Sequence, residues 1–182
     1  MKQAFRRRTY DFMPAQKKEL GKADGNYKDI TKGAGKMKTA IVYYTFGGST
    51  KKEAESLALA LNAPLYRVRE KRNRSFIGSF ISGCYHAMHR KASAIQKPDV
   101  DLKAFDRILL GGPVWAGFPA PAFNAMVELL PTGKEVEVFL CSGGGETLKS
   151  EQGTKAMIQR KGCTLVAYRD VKTGVMPGKM KE

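Results

Sequence analysis

From Thr39 to Asp170 the chain keeps switching between two hydrophobic periods, and that alternation leaves few folds open. Apolar, often β-branched runs at 39–44, 65–68, 106–111, 135–141 and 163–170 read as strands buried on both faces of a sheet. Between them lie stretches with helical spacing. At 50–61, Ala54, Leu57, Ala58 and Leu61 share one side, with Lys51, Lys52, Glu53, Glu55 and Ser56 largely away from it. Asn62-Ala63-Pro64 ends that helix, Pro119-Ala120-Pro121 introduces another, and Pro131-Thr132-Gly133 stops it. A last helix at about 147–161 closes at Gly162. Such alternation predicts a parallel sheet with helices on both faces. Five doubly wound strands take the spatial order 2-1-3-4-5, with a ligand crevice at the carboxyl ends of strands one and three, where the winding reverses.

Both of those strand ends carry unusual loops. The first strand runs into Thr45-Phe46-Gly47-Gly48-Ser49-Thr50 and then a helix. Hydroxyls of Thr45, Ser49 and Thr50, with the backbone N–H groups of Phe46, Gly47 and Gly48, would suit a phosphate at a helix N-terminus without a Lys or Arg at the centre. The plain alternative is a glycine turn with Ser49 as helix cap. The third strand ends in Gly111-Gly112-Pro113-Val114-Trp115-Ala116-Gly117, one large aromatic among small, loop-forming residues, which would offer a flat ring a stacking surface. The plain alternative for Trp115, the only tryptophan, is a large core residue that ends a strand.

Together these loops resemble those of the flavodoxin-like family. Thr45, Gly48 and Thr50 match the family's loop for the phosphate of FMN, and Pro113, Val114, Trp115 and Gly117 match the loop that stacks on the isoalloxazine. Val138-Phe139-Leu140-Cys141-Ser142-Gly143-Gly144-Gly145 falls where the other ring-side loop belongs. The resemblance spans roughly residues 38 to 170. It implies an α/β fold, a three-layer α/β/α sandwich on a five-stranded parallel sheet, with FMN as cofactor. The implied FMN site comprises Thr45, Phe46, Gly47, Gly48, Ser49, Thr50, Pro113, Val114, Trp115, Ala116, Gly117, Ser142, Gly143, Gly144 and Gly145, with no catalytic side chain and no metal. The chain departs from the family in two places. The loop from Cys141 to Glu146 has no aromatic, which leaves one flavin face open, and after Asp170 only twelve residues remain, so the usual last helix is short or absent.

Residues 1–36 hold ten Lys or Arg against four Asp or Glu and no sustained periodicity, and they are expected to be a disordered basic extension before a domain at 37–182. This extension, a second subunit or a partner would cover the sheet face that a missing helix leaves bare. The net charge of +15 contrasts with the acidic surface typical of electron-carrying flavodoxins. A basic surface favours the anionic reduced flavin, raises its potential and steers anionic partners. The densest basic cluster, Arg67 to Arg74, leads into an amphipathic stretch read as a second sheet-covering helix with solvated basic ends.

Other chemistries are excluded or disfavoured. Gly33-Ala34-Gly35-Lys36-Met37 lacks both the hydroxyl residue and the preceding strand of a P-loop, no Gly-x-Gly-x-x-Gly follows the first strand, and no nucleophile elbow is present. Cys84, Cys141 and Cys163 fit neither a disulfide framework nor a zinc site. His86 and His89 lack a third metal ligand. A redox thiol at Cys141 is a minor alternative, without a neighbour to lower its pKa. With no apolar run long enough to span a bilayer and no secretory signal, the cytoplasm is the expected location. Three functions are compatible with this reading: an electron carrier between a reductase and an acceptor, an NAD(P)H-dependent FMN or quinone oxidoreductase, and a flavin-free basic module for nucleic acid or anionic membrane. The matching partners are redox proteins of acidic surface, NAD(P)H or a quinone, and a second copy of the chain, with nucleic acid and membrane disfavoured.

Overall fold

The computed structural model describes residues 37–71, 78–144 and 147–173. The extension at 1–36, residues 72–77, Gly145 and Glu146, and the tail from 174, where a last helix would stand, lie outside the described residues. The elements are β1 (Thr39–Tyr43), α1 (Ser49–Leu61), β2 (Leu65–Arg67), β3 (Arg69–Glu70), α2 (Gly78–Met88), β4 (Ile95–Gln96), a 3-10 turn (Leu102–Ala104), β5 (Arg107–Trp115), β6 (Phe118–Pro119), α3 (Pro121–Glu128), β7 (Glu135–Ser142), α4 (Leu148–Arg160) and β8 (Thr164–Lys172). The main sheet has the order β2-β1-β5-β7-β8, all parallel. This is the 2-1-3-4-5 winding expected from sequence. Among the described residues no helix is long and apolar enough to cross a membrane.

Period-two alternation within the strands builds two cores. Ile41, Tyr43, Leu109, Phe139 and Cys141 point to the face where Ala54, Leu57 and Ala58 of α1 pack. Val42, Ile108, Leu110, Val136, Val138 and Leu140 point to the other face, which also buries Phe123, Met126 and Ile158 of α3 and α4. At the amino-terminal end of the α1 face, Arg107 reaches Glu135 with Nε at 2.9 Å and Nη2 at 2.6 Å, and Glu137 with Nη1 at 3.0 Å. This forked pairing satisfies the buried Glu137 carboxylate and makes that end of the face polar.

The third strand corrects the sequence reading. Gly111 and Gly112 are strand residues rather than the start of a loop, and β5 runs on to Trp115. Their lack of a side chain serves packing between neighbouring elements: a Cβ at Gly111 would lie 2.7 Å from Cε1 of Phe139, its partner on β7, and one at Gly112 would lie 3.1 Å from Phe123. Two glycines thus seat one aromatic ring on each face. The strand then reverses through Ala116 (φ 50°) and Gly117 (φ 82°) into β6, pairing Val114 with Pro119 and Trp115 with Phe118. Both turn residues are left-handed, as the tightest hairpins require, and Ala in the first of them hid the hairpin from sequence.

The stretch read as a second sheet-covering helix forms α2, which adds the buried Ala87 to the larger core. β3 follows the last residue of β2 and pairs with β4, while α2 packs on the β5–β6 hairpin and on α3. Arg72 and Arg74 of the basic cluster fall outside the described residues, while Arg67, Arg69 and Lys71 are exposed.

Gly111→Ala is expected to lower stability by about 1–3 kcal/mol through overpacking against Phe139. The double variant Gly111→Ala/Phe139→Leu should recover part of that loss. Urea midpoints of the three proteins check this, and equal midpoints for parent and Gly111→Ala would refute the seating.

Candidate functional site

Three loops leave the carboxyl ends of β1, β5 and β7, and the first two meet where the order β2-β1-β5 reverses. There the crossovers on either side depart in opposite directions and leave a crevice. The backbone ties the first two loops at their roots: Tyr44 N–H donates to the Gly111 carbonyl at 3.0 Å. Above that bond the rings of Phe46 and Trp115 meet edge to face, centroids 5.4 Å apart.

The first loop turns into α1 through Gly48 in the left-handed region (φ 85°), which is the N-cap. Ser49, the alternative cap, is the first helical residue, and no side chain caps the helix. Gly48 N–H donates to Thr45 Oγ1 at 3.0 Å, so the Thr45 hydroxyl shapes the turn. The N–H groups of Ser49, Thr50 and Lys51 remain as the helix's unshared donors, with no acidic residue in the first turn. A Cβ at Gly47 would meet nothing within 4 Å, so space lies open beside these donors. Thr50 departs from its expected role: it is 1% exposed, and its buried hydroxyl acts on the Cys141 thiol of β7, offsetting part of the rise that burial gives that thiol. Only its backbone N–H faces the expected task.

Trp115 departs as well. The indole is 1% exposed and belongs to the larger core, so it is a buried residue ending a strand rather than an open platform. The partly exposed surface of this loop comes from Pro113, Val114, Gly117 and Phe118, with Ala116 exposed.

The third loop begins with Ser142 and Gly143, half-buried, and Gly144, exposed with open space where a Cβ would be. Gly145 of the expected site lies outside the described residues. Thr147 closes the loop and is fully buried: its N–H donates to Asp170 Oδ2 at 3.0 Å, and its hydroxyl bonds Asp170 Oδ1 and, at 2.7 Å, the Tyr168 hydroxyl. Burial pushes the Tyr168 phenol up, the bonds to Thr147 and Ser150 offsetting part of that rise. Ser142 is held from β8, its carbonyl accepting Thr173 N–H at 2.8 Å and Thr173 Oγ1 at 3.0 Å.

Sequence reasoning missed two members of this end of the molecule. Tyr44, buried just past β1, donates its hydroxyl to Glu70 Oε2 of β3 at 3.2 Å. Arg90 lies beyond α2 against α4. The signal for Glu70 was absent, since a two-residue strand leaves no period to read. Away from these loops, a hollow of about 250 Å³ beside Lys97, Asp101, Lys103 and Leu129 has no glycine loop and no unsatisfied donor set of this kind. Among the described residues no cluster of three or more His, Cys, Asp or Glu could hold a metal ion.

The fold is shared with known structures. A flavoprotein from Lactobacillus acidophilus, solved in complex with FMN, superposes with a TM-score of 0.64 at 23% identity, over 74% of this chain and 93% of that one. The apo form of the flavoprotein from the same bacterium gives 0.55 at 26% identity over the same shares. A WrbA-like flavodoxin from Agrobacterium tumefaciens gives 0.51 at 18% identity, over 78% of this chain and 87% of that one. No family model matches the sequence, and no curated protein matches it significantly. The chain has the flavodoxin-like fold: its sheet order, its layers and these neighbours agree.

Burial pushes the Cys141 thiol up to about 12, so it is protonated and inert in the folded protein. In the unfolded chain the thiol ionises near its ordinary value of 9.0, so the folded state binds the extra proton between those limits. The contribution is complete below pH 9 and is lost as pH rises toward 12, by up to about 1.4 kcal/mol per unit. Cys141→Ala should remove that part of the alkaline decline in urea-measured stability, and native Cys141 should resist iodoacetamide at pH 8. Rapid native labelling would overturn the assignment.

Proposed function

We propose that the chain is an FMN-binding redox protein that carries electrons between a reductase and an acceptor. The carrying observation is the start of α1, where uncapped N–H donors, a left-handed Gly48 and the open space at Gly47 converge at the reversal of the sheet. A helix N-terminus of this kind binds a phosphate dianion with neutral donors. The residues present fit the group. Ser49, Thr50 and Lys51 would hold the phosphate through their N–H groups, with the Ser49 hydroxyl beside them. Phe46, Pro113 and Val114 supply apolar surface for the ring system, while Ala116, Gly117, Ser142, Gly143 and Gly144 present backbone along its edges. Trp115 supports Phe46 from below. The FMN complex of the Lactobacillus flavoprotein, on the same fold, supports this reading.

When bound, FMN supplies one- or two-electron transfer; the chain's residues hold it, limit water and set its electrostatics. Lys52, Arg67, Arg69 and Lys71 are exposed around the α1 start and the β2–β3 end. Arg67 and Arg69 also act on the buried Tyr43 phenol, which is raised by burial first, and Lys51 lies 3.9 Å from Glu55. This positive rim would favour the anionic reduced cofactor and an acidic partner surface. The same rim suits the phosphates of a nicotinamide cofactor, which is the basis of the second reading, an NAD(P)H-dependent FMN or quinone oxidoreductase.

Gly47→Asp tests the phosphate assignment at a position where an added Cβ meets nothing within 4 Å. FMN affinity should fall about a hundredfold, from roughly 3 kcal/mol of repulsion at an effective dielectric of ~20. Riboflavin affinity and the melting temperature should hold, and an equal fall for both flavins would refute the assignment. Potentiometric titration should place the bound flavin at a less reducing potential than that of acidic flavodoxins. Sustained NADPH oxidation with a quinone, without added reductase, would replace the carrier by the enzyme.

A further inference from the structure

Arg90 follows α2 in the left-handed region (φ 52°), an uncommon conformation for a residue with a long side chain. That turn carries the guanidinium across to α4. There Nη2 donates to the Ser150 carbonyl at 2.8 Å, and Nη1 to Thr154 Oγ1 at 3.3 Å and Met157 Sδ at 3.6 Å. The guanidinium carbon also lies 5.7 Å from the centroid of the Phe118 ring, within cation–π range. All these acceptors are neutral, and among the described residues Arg90 has no carboxylate partner. Burial lowers its pKa, with the Tyr168 phenol and Arg160 as the charged or titratable groups facing it.

The helix beneath it is cut to fit. Gly153 stands in the interior of α4, where glycine is a poor helix former. A Cβ there would lie 2.6 Å from the guanidinium carbon and 2.8 Å from Nε. The contact leads on to the third loop. Ser150 Oγ donates to the Thr147 carbonyl at 3.0 Å, Ser150 N–H to the same oxygen at 2.7 Å, and Thr147 is anchored to Asp170 and Tyr168. Ser150 and Thr147 are fully buried, so the polar groups of this network depend on one another for partners. On its other side the guanidinium touches Phe118, which pairs with Trp115 across the hairpin. A left-handed Arg, a mid-helix glycine and a half-buried cation without a counter-charge are each unfavourable locally, and they coincide at one contact.

We propose that Arg90 is a positioning residue for the flavin crevice: a latch seated on Gly153 that fixes Thr147, at the close of the third loop, relative to the β5–β6 hairpin. Its bearing on flavin rests on the FMN reading above, whereas the seating does not.

The test is a double-mutant cycle in the full chain, read by the melting temperature of the FMN-free protein and by FMN titration. With Arg90 present, Gly153→Ala should lower the melting temperature, because the methyl displaces the guanidinium from its acceptors. In an Arg90→Ala background the same substitution should raise it, because the notch is empty and alanine is the better helix former. Arg90→Ala and Gly153→Ala should each weaken FMN binding about tenfold, with no further loss in the double variant. Arg90→Lys should not restore it, since an ammonium lacks the planar fork. At saturating FMN, Arg90→Ala should also alter the visible circular dichroism of the bound flavin, which a purely structural contact would leave alone. A Gly153→Ala variant that is stabilised equally in both backgrounds overturns the latch. Sign reversal with unchanged FMN affinity and spectrum overturns the positioning role. Failure of the FMN reading itself is distinct: the parent protein binds no FMN while the sign reversal persists.

Discussion

The pairing of β1 with β5 is the contact on which the rest of the arrangement depends. Five registered residue pairs, Thr39 with Arg107 through Tyr43 with Gly111, bring together two strands separated by more than sixty residues of chain. The bond from Tyr44 N–H to the Gly111 carbonyl carries the two backbones one step past β1 before they part. Because the crossover from β1 goes to β2 on one side and that from β5 to β7 on the other, no connection covers the gap above this pair. The crevice follows from connectivity, and loop residues decide only what it can hold. Gly111 belongs to the pairing in a second sense: by accepting the Phe139 ring on its bare face, it lets β7 close against β5 in register.

Legibility from sequence follows the same division. The five sheet strands and the order 2-1-3-4-5 were readable because buried parallel strands need apolar runs, and these are hard to mistake when helices with a different period separate them. The turn at 45–50 into a helix was readable because hydroxyl and glycine residues sit directly between strand and helix. What failed to show were features defined by contacts across the chain. The glycines of β5 looked like loop residues because the rings that require them, Phe139 and Phe123, come later in sequence. Trp115 looked exposed because its neighbours are small, yet the hairpin folds it back into the core. Thr50 looked like a phosphate ligand, but its side chain is buried at the start of α1. One local signal did precede the third-loop network: Gly153, inside an otherwise ordinary helical stretch, costs the helix about 1 kcal/mol relative to alanine and so marks a contact.

The three loops differ in how they are held, and the difference bears on chemistry. The first is fixed by its own turn, with Thr45 Oγ1 accepting from Gly48. The second is fixed by the hairpin pairing of Trp115 with Phe118. The third is tied at its described ends to β8 and α4, through Asp170, Tyr168, Ser150 and Thr173. A loop held from outside depends on the packing of elements remote from the crevice, and Arg90 carries that dependence across to α2 and the hairpin. A glycine-rich loop without aromatic side chains also leaves one side of a planar ligand without a stacked ring, so specificity on that side has to come from backbone polar groups.

Charge completes the distinction from an acidic electron carrier. A phosphate held by neutral N–H groups leaves nearby cations available for other work, and Lys52, Arg67 and Arg69 make no ion pair among the described residues. Fields of exposed charges fall off over about 8 Å at physiological ionic strength, so each acts on its own neighbourhood. Their influence is therefore local to the crevice and its rim. Under the proposed FMN reading they would act there on two quantities together, the stability of a reduced anionic cofactor and the surface a partner meets. A carrier with an acidic rim makes its flavin strongly reducing and docks on basic partners; reversing the sign of the rim shifts both properties in the opposite sense at once, because both respond to the same potential.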